Sequence, residues 1–240
     1  MSASLHIPPA ENRESRWWTN AESPRNWRHL IGKLILTGVA LGIWFWTQSL
    51  IAQRGASASG VGDALHTLTA GLNSYFYHSP AAANALLIVS SALIDGLALF
   101  LLARWLFGPS VRPFLGLVLL LGLRQIMQAI CVLPAPPNMI WHYPGFPSLL
   151  VTYNVGNDFF FSGHTAIAVF GGIELARLGN GNRWLKGLAL AIVLFEIAAV
   201  LILRAHYTMD VFTGLLAAVV VAQFCTAASP RIDTWLSPAD

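Results

Sequence analysis

Long apolar runs separated by short polar segments repeat along the chain, at about 30–52, 83–107, 113–133, 164–179, 186–204 and 208–227. Each is bounded by Pro, Gly or a charged cluster of the kind that marks turns. A bilayer-spanning helix needs about 20 predominantly apolar residues. The pattern therefore predicts an all-α integral membrane protein, with six transmembrane helices in one bundle. It divides the chain into a cytoplasmic tail over 1–29, a six-helix transmembrane catalytic domain over 30–227 and a cytoplasmic tail over 228–240. The leader carries Glu11, Arg13, Glu14, Arg16 and Arg25 with several tryptophans, unlike the short basic n-region of a cleaved signal peptide.

Composition supports the same class. The chain is 55% hydrophobic and only 10% charged, with mean hydropathy +0.60, whereas soluble domains average about 25% charged residues. Six spans and their connections use up the 240 residues, so no separate soluble domain is expected.

Charge placement sets the expected orientation. With the amino terminus inside, the inner segments hold Arg13, Arg16, Arg25, Arg28, Lys33, Arg104, Arg112, Arg177, Arg183, Lys186 and Arg231, eleven of the 14 basic residues, while the 134–158 loop has none. That asymmetry is the positive-inside signal. It predicts a multi-pass protein with both termini cytoplasmic. Compact loops and short tails point to a bacterial inner membrane, with a Golgi-type membrane as the alternative. The net charge of +3 is mostly this bias and implies no nucleic-acid partner. Cys131 and Cys225 are expected at opposite ends of their helices, too far apart for the roughly 7 Å limit on a disulfide. No metal-ligand spacing or Gly-rich nucleotide loop is present, so neither metal nor cofactor is expected.

Two polar islands interrupt the ends of apolar runs: Asn157-Asp158-Phe-Phe-Phe-Ser162-Gly163-His164-Thr165 and Arg204-Ala-His206-Tyr207-Thr208-Met209-Asp210. Ionisable residues at membrane depth have few reasons to exist other than function. The topology puts both islands on the non-cytoplasmic face. His206 and Asp210 are four apart, so in a helical turn the carboxylate shares the imidazole's face. It would then accept the Nδ1 hydrogen and leave Nε2 as a nucleophile. A histidine nucleophile suits phosphoryl transfer, and His164 is the second imidazole needed to protonate the leaving oxygen. Ser162 and Gly163 precede it at a helix start, where backbone N–H groups and the dipole favour a phosphate.

The stretches Asp158-Phe-Phe-Phe-Ser162-Gly163-His164-Thr165 and His206-Tyr207-Thr208-Met209-Asp210-Val211, with Arg124 and Leu133-Pro134-Ala135-Pro136 as a weaker addition, resemble the signature motifs of sphingomyelin synthases, a branch of the type 2 phosphatidic acid phosphatase superfamily. The resemblance spans about 112–225. It implies a six-helix fold in which His206 attacks phosphorus, Asp210 orients it, and His164 serves the leaving group and then the acceptor. The chain departs from that pattern at Gly156-Asn157-Asp158 and at Gly214-Leu215, which bears on head-group and acceptor preference. Val200 stands where the lipid phosphatase branch resembles a pattern with Arg.

The expected function is transfer of a phosphocholine or phosphoethanolamine head group from a membrane phospholipid to a lipid alcohol, ceramide or diacylglycerol, through a phosphohistidine. A lipid phosphatase or phospholipase C-type hydrolase, with water as acceptor, is the alternative. A non-catalytic lipid-binding or transport protein is the third reading. The catalytic candidates are His206, Asp210 and His164. The substrate-binding candidates are Ser162, Gly163, Asp158, Arg124, Arg204 and Tyr207. Arg124 is read either as a phosphate contact or as a side chain that snorkels or pairs with Asp95 or Glu196. Those two carboxylates have open roles. His66, His78 and His142 read as interfacial loop residues. Trp44, Trp46, Trp141, Tyr143 and Tyr153 fit an aromatic belt, and Trp141 and Tyr143 also suit a cation site.

Overall fold

A computed structural model describes residues 60–153, 159–179 and 181–236, together with Ile31, Ile35, Val39, Gly42, Ile43 and Trp46. The chain divides into two units, residues 1–58 and 59–240. In the first, the six described residues are helical; the rest of the predicted 30–52 run lies outside the described residues.

The regular structure of the second unit is all helix, with no strand among the described residues and a long irregular segment over 131–153. Its elements are α1 (Ala64–Leu68), α2 (Ala70–His78), α3 (Pro80–Leu106), α4 (Arg112–Ile130), α5 (Gly163–Leu178), α6 (Arg183–Ile202) and α7 (Thr208–Leu236). Local chemistry sets the starts. Asp63 and Asn182 cap α1 and α6 with their side-chain oxygens, and Pro stands in the first turn of α3 and of α4.

Among the described residues, four helices are long and apolar enough to cross a membrane: α3, α4, α6 and α7 over Thr208–Trp235. The predicted run at 164–179 becomes α5, a 16-residue helix. At about 1.5 Å per residue it reaches roughly 24 Å, short of the roughly 30 Å hydrocarbon core. Against the six spanning helices expected, the described residues show four such helices and the shorter α5. Helix α7 passes the end of its apolar run and continues through Pro230, where Asp233 accepts the Val111 backbone N–H at 2.7 Å.

The short helix α5 is the centre of the bundle. Every residue from His164 to Gly172 is buried, as expected of a helix apolar on all sides. Helices α3, α4, α6 and α7 pack around it. Close approach is built into the sequence: a Cβ on Gly116 would lie 1.9 Å from Phe170 Cζ, so only glycine lets α4 meet that ring. Phe170, Leu97, Leu101, Leu120 and Ala218 belong to the main core.

At one end the ion pairs are complete. Arg112 Nε and Nη2 donate to Glu174 at 3.0 and 2.9 Å, and Arg177 Nη1 donates to the same carboxylate at 3.0 Å. Arg177 also reaches Thr226 Oγ1 at 2.8 Å. Glu174 is buried, and two guanidiniums compensate its desolvation. Cys225 is buried and Cys131 partly so, both as free thiols.

Helices α1 and α2 lie at the other end. They expose Leu68, Leu72, Tyr75 and Tyr77, while Asn73 is buried and donates to Ile202 O at 2.9 Å.

Candidate functional site

The first island enters α5 through a strained residue. Phe161 has φ 75°, a region that bulky side chains rarely adopt, and its ring is fully buried in the core. Held there, it turns the chain so that Ser162 becomes the N-cap of α5. Ser162 Oγ accepts the Thr165 N–H at 3.3 Å and pairs with Thr165 Oγ1 at 2.9 Å. The Ser162 hydroxyl is therefore a helix cap, fully buried. Next to it, Gly163 packs against Arg124: a Cβ there would lie 3.1 Å from Arg124 Cδ and Nε. Glycine lets the α4 guanidinium stem lie across the start of α5.

The second island is tied to the first through backbone groups. Ser162 N–H donates to Asp210 O at 3.1 Å. Gly214, one turn further along α7, faces the Ser162 carbonyl so closely that a Cβ would lie 2.5 Å from its oxygen. The departure from the resembled motif at this position thus has a local reason, a glycine contact between the two islands.

His206 is oriented differently from expectation. Its Nδ1 lies 2.8 Å from Phe159 O, and a carbonyl can only accept, so Nδ1 carries the hydrogen and the neutral ring has its lone pair on Nε2. Asp210 Oδ2 is 4.0 Å from the same Nδ1 and accepts the Tyr207 N–H at 2.9 Å instead. The four-residue spacing brings the carboxylate alongside, but the tautomer is set by a backbone carbonyl of the first island. Asp210 Oδ1 is buried and has no hydrogen-bond partner among the described residues.

His164 and His206 line one cavity of about 50 Å³, with Arg124, Gly163, Phe159 and Trp141 among its other walls. A water needs roughly 10–15 Å³ on this measure, so the space takes a few waters or one phosphate-sized group. His164 Nε2 is buried without a hydrogen-bond partner, and the edge of the ring pair with Trp141 spans 5.2 Å between centroids. The two imidazoles, the arginine and the glycine predicted from sequence are thus brought together.

The remaining candidates are placed elsewhere. Arg204, at φ 54°, donates to Pro137 O at 2.7 Å and His66 O at 3.4 Å, outside the cavity walls. Tyr207 is buried and its hydroxyl donates to Pro134 O at 3.1 Å; burial, then the charges of Asp210 and Asp63, push it above the ordinary 10. Both residues brace the 134–138 segment against the second island. Asp158 lies outside the described residues. Of the open carboxylates, Asp95 accepts the Leu149 and Leu150 N–H groups at 2.7 and 2.9 Å. Glu196, fully buried, accepts from Ser90 Oγ at 2.7 Å.

Sequence reasoning missed a clamp from α1. Asp63 accepts Thr208 N–H at 2.6 Å and Thr208 Oγ1 at 2.7 Å while capping α1. His66, read from sequence as an interfacial loop residue, is buried. Its Nε2 donates to His206 O at 2.9 Å, and its ring stacks on Tyr207 with centroids 5.5 Å apart. The only legible signal was Asp63 as an N-cap before a short helical stretch; its pairing with Thr208, 145 residues away, was not legible.

The family model AtPDCT1/2 matches residues 62–227, more than two thirds of the chain. No curated protein and no solved structure matches. The match corrects the resemblance drawn from the two islands: the family is that of phosphatidylcholine:diacylglycerol cholinephosphotransferases, not the sphingomyelin synthase branch of the type 2 phosphatidic acid phosphatases. The resemblance rested on two short motifs, whereas the family match extends over 62–227, nearly the whole helical unit. The chain belongs to the AtPDCT1/2 family, a family of membrane enzymes that transfer a lipid phospho-head-group.

Proposed function

We propose that this member of the AtPDCT1/2 family moves phosphocholine from phosphatidylcholine to diacylglycerol through a phosphohistidine on His206. One observation carries the reading: His206, with its Nδ1 hydrogen directed to Phe159 O at 2.8 Å, shares a cavity with His164 and Arg124.

The Nε2 lone pair of His206 attacks phosphorus, and the bond from phosphorus to the glycerol oxygen breaks. The departing diacylglycerol oxygen takes a proton from His164, which enters this step as the imidazolium and leaves it neutral, ready to receive the acceptor's proton in the second half. Attack at Nε2 leaves the imidazole cationic, and the Phe159 carbonyl and the Asp210 carboxylate 4.0 Å away stabilise that charge. Arg124 compensates the phosphate oxygens, and Gly163 keeps its stem close to the start of α5. In the second half the hydroxyl of an incoming diacylglycerol gives its proton to His164, its oxygen attacks phosphorus, and the P–Nε2 bond breaks. Donor and acceptor leave as a new diacylglycerol and a new phosphatidylcholine, with no net change in protons.

The test uses purified protein in liposomes, with phosphatidylcholine labelled in the head group and diacylglycerol of distinguishable chain length. Label in phosphatidylcholine of the new chain length, dependent on added diacylglycerol and absent in His206→Ala, is the expected result. Release of water-soluble phosphocholine irrespective of acceptor would instead identify a hydrolase. Substituting ceramide for diacylglycerol measures acceptor preference in the same assay.

A further inference from the structure

The histidine cavity leaves one sequence candidate unused. Arg204 stands outside its walls and lines a second cavity of about 320 Å³, together with Asn73, Ser74, Tyr77, His78 and Asn138. The histidine cavity is about 50 Å³ on the same measure, so the second has room for a phosphate and the groups attached to it. Its walls are tied to one another. Buried Asn73 of α2 donates from Nδ2 to Ile202 O at 2.9 Å and to Asn138 O at 3.3 Å, and Arg204 holds Pro137 O and His66 O. Asn138 at φ 56° and Arg204 at φ 54° are two of the three non-glycine residues with positive φ among the described residues. Strained residues persist where their surroundings fix them, and they gather at ligand clamps.

The charge in this cavity is uncompensated. A guanidinium carries five N–H donors. Arg204 donates from Nη1 and from Nη2 to neutral carbonyls, and its Nε is buried without a hydrogen-bond partner among the described residues. No carboxylate pairs with it among the described residues, and neither Asp nor Glu lines the cavity. Arg112 and Arg177, by contrast, both meet Glu174. Ser74, Tyr77 and Asn138 add further donors to the wall. Depth narrows the choice of anion. Helix α2 ends at His78, beside the start of α3 at Pro80, and α6 ends at Ile202; α3 and α6 are both long and apolar enough to span. The head-group layer begins where spans end, and its characteristic anion is phosphate. Guanidinium donors match phosphate oxygens in both geometry and charge.

We propose that Arg204 and the walls around it form a second anion site, apart from the histidine cavity, that binds a phosphate group, either of a lipid head group or free. The site does not depend on the phosphocholine-transfer reading, since neither His164, His206 nor Arg124 lines it. It adjoins the nucleophile through backbone: Arg204 holds the carbonyl of His66, whose ring donates to His206 O at 2.9 Å.

The test measures equilibrium binding of inorganic phosphate, and of a short-chain phosphatidic acid, to the full-length protein in detergent. Wild type, Arg204→Gln, Ser74→Glu, Ser74→Gln and Arg124→Gln are compared. The wild type is expected to show a phosphate site that survives Arg124→Gln, the change made in the histidine cavity. Arg204→Gln removes the charge, and Ser74→Glu sets a carboxylate in the cavity from an exposed position of α2. Each should weaken that site at least about tenfold, while Ser74→Gln, of the same size but neutral, leaves it in place. Should Arg204→Gln fail to fold for loss of its hold on Pro137, the two Ser74 variants decide. Binding that is unchanged in Ser74→Glu, or equally weak in Ser74→Glu and Ser74→Gln, would overturn the proposal. So would a wild type whose phosphate binding vanishes altogether in Arg124→Gln. Tighter binding of the phosphatidic acid than of phosphate, lost in Ser74→Glu, identifies a lipid head group as the source; equal affinities identify free phosphate. Head-group transfer by His206 is read in its own assay, so failure of either reading leaves the other standing.

Discussion

The two ends of the bundle use similar residues for opposite purposes. At the Arg112 end, Glu174 is buried between two guanidiniums, with Arg177 passing on to Thr226 and Asp233 closing on the Val111 N–H. At the histidine end, buried polar atoms have no hydrogen-bond partner among the described residues, His164 Nε2 and Asp210 Oδ1 among them, and they line or adjoin a cavity. A buried group without a partner is destabilising by about 1–3 kcal/mol. An end of the protein that carries such groups beside a strained Phe161 and a strained Arg204 is kept for something other than stability. About ten residues of α5, roughly 15 Å of helix, separate the staple at Glu174 from the site at His164.

The comparison is broken most severely at His206. Loss of the nucleophile in His206→Ala should lower head-group transfer by at least about 10⁴-fold, with the thermal unfolding midpoint close to wild type. A midpoint that collapses with activity would mean that the histidine end is a second staple. Glu174→Gln should do the reverse. It leaves Arg112 and Arg177 without their buried anion, a destabilisation of about 3–5 kcal/mol, read as a lower unfolding midpoint in detergent. The fraction that stays folded should keep its kcat, and a kcat loss larger than tenfold would tie this end to the chemistry.

Smaller changes sharpen the contrast within the histidine end. Gly214→Ala forces a Cβ against the Ser162 carbonyl, 2.5 Å away. Overpacking of this kind is destabilising by about 1–3 kcal/mol, and here it also pushes the two islands apart, so kcat should fall together with the midpoint. Asp63→Asn weakens the clamp on Thr208 and should lower kcat by roughly tenfold or less, in line with about 1–1.5 kcal/mol for a charge-assisted hydrogen bond. The smallest effect is its pH dependence. Burial raises the Asp63 carboxyl, but its hydrogen bonds from Thr208 and His66 outweigh this and hold it below the ordinary 3.8. A depressed carboxyl contributes stability that is present above the unfolded value and is lost as pH falls through the lower folded value. The midpoint of the wild type should therefore drop more than that of Asp63→Asn between about pH 5 and pH 2. Parallel curves would show that the clamp holds without the charge.

Much of the site was legible because its chemistry is written in residue types that a membrane protein otherwise avoids. His164, His206 and Asp210 stood out against apolar runs, and Arg124 stood out within one; three of these line the cavity and the fourth adjoins it. The partners were not legible. Asp210 was matched to His206 by helical spacing, but His206 precedes the helix that carries Asp210, so the carboxylate meets the Tyr207 N–H instead. Ser162 and Arg204 were singled out as substrate-binding by position, Ser162 for the backbone N–H groups of a helix start, and their side-chain partners were not legible. In the fold, one caps α5 and the other binds the carbonyls of Pro137 and His66. His66 looked like a loop residue because the segment carrying it is too short to show a period.

By itself the sequence determined that the protein is a helical membrane protein and where its long apolar helices run, because hydrophobic length and turn residues are local properties that water and lipid act on directly. It determined also that two polar islands place histidines and carboxylates at the ends of apolar runs, where the desolvation of such groups needs a reason. Only the tertiary structure decided that α5 is the buried centre, that Phe159 rather than Asp210 orients His206, and that α1 clamps the second island. It also decided that Trp141, packed on Tyr153, forms a wall of the same cavity. Each of these is a contact between residues far apart in the chain, selected by close approach at Gly116, Gly163 and Gly214 and by the backbone groups those approaches bring within hydrogen-bonding distance.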